Sequence, residues 1–241
     1  MISLALTILG LCIGSFLNVV ILRLPQSQSV VFPSSHCPKC KTPLKWYHNI
    51  PLFSWIFLRG KCFTCKASIS IQYPLIELST ALIFFYFSTI LEPSFAIINA
   101  LVFSCLLALS IIDLRFKAVP DLLSLPTLFF ALLANPGLES LSNALLFAGG
   151  FALLRILVSA WKKQEAMGEA DIIIAAIIGA MIGIKLGLVA IYLSAVFALI
   201  GFVIVRKKDF ELPFIPFLSL GLFCTYIFQE SILKLLGAYL G

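Results

Sequence analysis

Charge is scarce in this chain. Only 12% of its residues are Asp, Glu, Lys or Arg, where a soluble chain carries about 25%. Acids are scarcest, 11 against 17 basic residues, few enough to be weighed one at a time. The two His are confined to one loop. No internal repeat, low-complexity stretch or glycine-rich phosphate or dinucleotide loop appears, so composition and spacing point to no nucleotide-like cofactor. The first apolar run, residues 2–22, lacks a basic n-region and contains Asn18. It is expected to be a retained membrane span, not a cleaved signal.

Apolar residues are abundant. They make up 61% of the chain, 22 of them Phe, and the mean hydropathy is +1.09. A soluble core does not call for this much, so lipid is the expected solvent. Eight apolar runs are candidate transmembrane helices: 2–22, 74–91, 94–112, 121–135, 140–160, 170–184, 186–205 and 213–240. The expected fold class is therefore all-α, a polytopic helical bundle in the membrane. The expected division is a first transmembrane helix at 1–22, a cysteine loop at 23–73 and a membrane-embedded core at 74–241.

The net charge of +6 follows membrane topology, and no nucleic-acid partner is expected. Loop 23–73 carries Arg23, Lys39, Lys41, Lys45, Arg59, Lys61 and Lys66 and no acid. Arg115 and Lys117, Lys162 and Lys163, and Arg206, Lys207 and Lys208 mark three alternate turns. These four stretches hold 14 of the 17 basic residues. The positive-inside rule then puts them in the cytoplasm and both termini outside it. Arg155 falls within the fifth run.

The cytoplasmic loop contains Cys37-Pro38-Lys39-Cys40 and Cys62-Phe63-Thr64-Cys65, separated by 21 residues. Two such knuckles resemble a zinc ribbon, in which four thiolates close a structural tetrahedral site. Two disulfides or a redox pair are the alternatives, and a reducing compartment speaks against the first. His36 and His48 are read as solvated loop residues. Cys12, Cys105 and Cys224 are read as small core residues.

Among the acids, Glu92, Glu139, Glu165, Asp209, Glu211 and Glu230 fall in turns or near helix ends. Asp113 closes one apolar run and Asp171 opens another. An ionisable group at the edge of a span suggests function, and topology puts both at the cytoplasmic face. Two adjacent carboxylates share a proton: one can activate water while the other donates to a carbonyl oxygen. The plainer reading is local capping or pairing, with Asp171 in a helix first turn. Asp121, after Pro120, and Glu169 read as helix starts. Glu77, just inside the second span, is placed to pair with a basic loop residue or to serve function. A transporter using Asp113 and Asp171 as a proton relay, or a non-enzymatic assembly scaffold, would also carry these residues. The cysteine loop discriminates against the transporter, and Asp→Asn replacement against the scaffold.

These residues together resemble the bacterial prepilin leader peptidases. The resemblance runs through Gly14-Ser15-Phe16-Leu17-Asn18, Arg23-Leu24-Pro25, the paired knuckles, Tyr73-Pro74, Glu77, Ile112-Asp113-Leu114 and Val119-Pro120-Asp121. It continues in Gly168-Glu169-Ala170-Asp171, similar to the family's G-x-G-D, and in Pro213-Phe214-Ile215-Pro216-Phe217-Leu218. Ala170 and Ile215 stand where the family has Gly. The resemblance implies catalytic roles for Asp113 and Asp171 in an aspartic endopeptidase of the bacterial inner membrane. It also implies leader peptides of type IV prepilins or type II secretion pseudopilins as substrates. In many members N-methylation by S-adenosylmethionine follows.

Overall fold

In lipid every backbone N–H and C=O must be paired within the protein, and the apolar runs accordingly fold as helices. The computed structural model describes residues 1–162, 168–205 and 212–240. Along the chain run α1 (Ile2–Arg23), α2 (Phe53–Phe57), α3 (Gln72–Ile90), α4 (Pro93–Phe116), α5 (Asp121–Ala134), α6 (Leu138–Lys162), α7 (Glu169–Val205), α8 (Ile215–Ile227) and α9 (Gln229–Leu240). No strand occurs among the described residues. Two isolated bridges, His36 with Pro43 and Lys61 with Ser68, lie in the cysteine loop.

The described residues do not confirm the count of eight spans. Five helices, α1, α3, α4, α6 and α7, are long and apolar enough to cross a membrane. The runs 170–184 and 186–205 correspond to the two arms of α7, which meet at a break at Gly183 (φ 70, ψ −171). The run 213–240 is two helices bent by 75°. Lys163, Glu165, Arg206, Lys207, Lys208, Asp209 and Glu211 lie outside the described residues.

The chain forms two compact units, Met1–Ser104 and Cys105–Gly241. In the first, α1 packs on α3 through Gly10 and Gly14, a G-x-x-x-G spacing that lets two backbones approach closely. A Cβ on Gly10 would lie 2.8 Å from the Thr80 carbonyl oxygen, and one on Gly14 would lie 2.7 Å from Glu77 Cα. Asn18 Nδ2 ties α1 to α3 by donating to the Tyr73 carbonyl at 3.1 Å. Cys12, expected in the core, is exposed on α1. In a membrane helix a small apolar side chain faces lipid as readily as it faces protein.

In the second unit α7 is the hub against which α5, α6 and α8 pack. Ile174, Ile177 and Ile178 of α7 and Leu218 and Leu222 of α8 are fully buried. The break at Gly183 frees carbonyls that a continuous helix would have paired. Asn135 Nδ2 donates to Met181 O at 2.8 Å and Ser140 Oγ to Ala180 O at 3.0 Å, satisfying both. The break is thus held by side chains from both ends of the α5–α6 turn.

Candidate active site and metal centre

Asp113 lies near the C-terminal end of α4 and Asp171 in the first turn of α7. Each is 8% exposed, so neither is a solvated helix end. The Ile215 N–H, at the start of α8, donates to Asp113 Oδ2 at 3.2 Å. The Gly168 N–H donates to Asp171 Oδ2 at 3.1 Å. Both carboxylates lie in the unit Cys105–Gly241. A buried acid needs such donors, because an unpaired buried charge is costly. The second unit therefore brings together the two acids singled out from the sequence.

The remaining acids fall elsewhere. Asp121 opens α5 and is exposed. Glu169 is exposed and forms an ion pair with Arg155 of α6, both guanidinium nitrogens lying 3.1 Å from Oε1. Sequence reading gave Arg155 no partner; its place on the helix preceding Glu169 was the available signal. Glu77 is buried and accepts the Leu52 N–H at 2.8 Å. Its partner in the loop is a backbone amide, not the basic residue that one of its two readings expected.

The four knuckle cysteines converge. All their sulfurs lie within 4.8 Å of one another, with Cys37 to Cys65 at 3.8 Å and Cys40 to Cys62 at 4.0 Å. Sulfurs held about 2.3 Å from a tetrahedral zinc lie about 3.8 Å apart, whereas a disulfide needs about 2.05 Å. The four thiols are free, and the donor set fits a metal. Neither His belongs to the cluster: His36 contacts the Ser34 carbonyl and His48 packs against Phe63.

Each knuckle is built the same way. Cys37 N–H donates to Thr42 O and Cys62 N–H to Ala67 O; Lys41 N–H donates to Cys37 O and Lys66 N–H to Cys62 O. Lys41 and Lys66 both adopt φ 57. The knuckles are thus a structural repeat of about one turn each, too short to register as an internal repeat in the sequence. Hydrogen bonds from the Thr42 side chain and backbone bring the Cys40 thiol down to about 6. Those from the Cys65 and Thr64 backbones lower Cys62. Against the pull of the Ala67 backbone, burial and the Cys40 and Cys62 sulfurs push Cys65 up to about 11. Four thiolates this close repel one another unless a cation sits among them.

Comparison with known proteins covers both units. Residues 8–91 match the model of the Bacterial Peptidase A24 N-terminal domain, and residues 100–204 that of the Type IV leader peptidase family. A "Prepilin leader peptidase/N-methyltransferase" of Myxococcus xanthus is 42% identical over 184 residues, covering 73% of this chain and 55% of that protein. The chain thus spans little more than half of that relative. A "Type 4 prepilin-like proteins leader peptide-processing enzyme" of Escherichia coli is 36% identical over 250 residues, covering 92% of this chain and 93% of that protein. A "Prepilin leader peptidase/N-methyltransferase" of Neisseria gonorrhoeae is 31% identical, with 97% and 93% covered. No solved structure matches the chain. With both units matched and two relatives covered almost end to end, the chain belongs to the type IV leader peptidase family.

Proposed function

We propose that this chain cleaves the leader peptides of type IV prepilins or type II secretion pseudopilins, with Asp113 and Asp171 as the catalytic pair at the cytoplasmic face of the bacterial inner membrane. The observation that carries this reading is two buried carboxylates in one compact unit, each held by one main-chain N–H. The ionised carboxylate takes a proton from water as the oxygen adds to the scissile carbonyl. The protonated one gives its proton to the carbonyl oxygen. Collapse of the tetrahedral intermediate breaks the C–N bond: the first carboxyl gives its proton to the leaving amine, and the second takes one back from a hydroxyl of the intermediate. Water is consumed and the dyad is restored.

The N-methyltransferase named for the relatives is a second activity of this reading. The first unit contains a cavity of about 390 Å³, within the roughly 300–1,000 Å³ range of cofactor pockets. Its wall combines the buried Glu77 carboxylate, the rings of Trp55 and Phe63, and the basic Arg23 and Lys45. Acid, ring and base complement the sulfonium, adenine and carboxylate of S-adenosylmethionine, so these residues fit the cofactor. When bound it supplies an activated methyl group for the newly exposed amine. Zinc fits Cys37, Cys40, Cys62 and Cys65 as a structural ion, since four sulfurs leave no open position for substrate.

The test is incubation of the purified protein with a candidate prepilin, followed by mass spectrometry of the product. Cleavage by the wild type and its loss in Asp113→Asn and in Asp171→Asn is the expected result. Cleavage at the wild-type rate by either variant would remove that residue from the pair.

A further inference from the structure

The cysteine loop carries an apolar surface that its metal centre does not explain. In α2, Phe53, Ile56 and Phe57 are 58%, 61% and 81% exposed. They share one side of the helix by their i, i+3, i+4 spacing. The other side faces the loop: Trp55 donates to the Ile69 carbonyl at 3.4 Å, and its ring lies 2.9 Å from where a Gly60 Cβ would be. Three large apolar side chains in water on a five-residue helix would be a liability.

The depth of α2 identifies what covers them. Leu52, immediately before α2, donates its N–H to Glu77 at 2.8 Å. Glu77 lies five residues into α3, about 7.5 Å below that helix's start. Around that level α3 presents an exposed apolar stripe, Ile71, Leu75, Leu78, Leu82 and Phe85, at the alternating four- and three-residue spacing of one helix face. That stripe is the lipid-facing side of a span, so hydrocarbon reaches the depth at which Leu52 is pinned. A five-residue helix is about 7.5 Å long. Even standing upright, α2 ends no higher than the first turn of α3. Leu52 itself adopts φ 60, a region unfavourable for a branched side chain. The turn that redirects the chain into α2 is therefore imposed by its surroundings.

Charge selects the occupant. Residues 23–73 carry seven basic residues and no acid, and Arg59 lies two residues beyond the end of α2. A short apolar face rimmed by cations and held at the membrane edge suits a leaflet of anionic headgroups. We infer that α2 is an interfacial anchor: Phe53, Ile56 and Phe57 are seated in the headgroup–acyl boundary of an anionic leaflet, tying the cysteine ribbon down to the membrane surface.

The test uses the full-length protein in nanodiscs of mixed phosphatidylglycerol and phosphatidylcholine. The photoreactive residue p-benzoylphenylalanine replaces Phe57 in one variant, Ile56 in a second and Lys39, on the first knuckle, in a third. After irradiation, mass spectrometry should find lipid adducts at positions 57 and 56, falling when phosphatidylglycerol is left out, and none at 39. Equal lipid labelling at 39 and 57 would overturn the anchor. So would adducts at 56 and 57 confined to this chain's own peptides, or to a prepilin supplied in the disc, since the face would then dock protein.

Discussion

Asp113 and Asp171 each accept a main-chain N–H, and neither departure from the family pattern removes a donor. Ala170 lies inside α7 with ordinary helical backbone, so no glycine conformation is required there. Ile215 replaces a Gly but keeps the amide that reaches Asp113, and its side chain is buried. Ile215→Gly should therefore cleave prepilin at close to the wild-type rate. Ile215→Pro fits the first position of α8 yet removes the N–H, and a hydrogen bond to a charged group contributes about 1.5–3 kcal/mol. Its kcat should fall by roughly 10- to 100-fold, read by initial rates of leader cleavage. The third acid of the motif region gives the matching control. Asp121 is exposed at the start of α5, so Asp121→Asn should retain most activity. The Asp113→Asn/Asp171→Asn double variant should be no worse than either single one, because residues acting as a unit are non-additive. An inactive Asp121→Asn beside an active Asp113→Asn, both stably expressed, would move the dyad to Asp121 and Asp171.

Individual elements were legible in the sequence to the extent that one local pattern specified each. The cysteine knuckles carry their own spacing, and the four sulfurs converge as that spacing predicts. Purified protein should contain about one zinc per chain by the four-ligand rule, and Cys62→Ser should lower that content, both measured by elemental analysis. The close approach of α1 and α3 was equally available in Gly10 and Gly14, but it is a pair property: its meaning depends on which helix lies opposite. Gly14→Leu would drive a side chain into Thr80 and Glu77. Overpacking of this kind typically costs about 1–3 kcal/mol, and a lower unfolding temperature in detergent would register it. Hydropathy puts the join within α7 at Lys185, two residues past the backbone break at Gly183. The Leu52–Glu77 and Ile215–Asp113 bonds could not be read from composition at all. In each, a backbone donor distant in the chain meets an acid, and a main-chain N–H carries no residue signature.

At the scale of the whole molecule, the lengths of the helices around the two aspartates have a consequence for the bilayer itself. α5 has 14 residues and α8 has 13, and Gly183 cuts the leading arm of α7 to residues 169–182. Each is about 20 Å long at 1.5 Å per residue, against a hydrocarbon layer of about 30 Å. Helices shorter than the layer draw its two surfaces together. Membrane thickness thus becomes a parameter of the enzyme: a locally thinned leaflet brings water to buried carboxylates and shortens the path by which a substrate's peptide bond reaches them. Reconstituted in phosphatidylcholines of increasing acyl length, the protein should lose cleavage rate as the bilayer outgrows these helices, with prepilin insertion monitored in parallel. A rate indifferent to acyl length would mean that water reaches the aspartates by a route independent of the lipid.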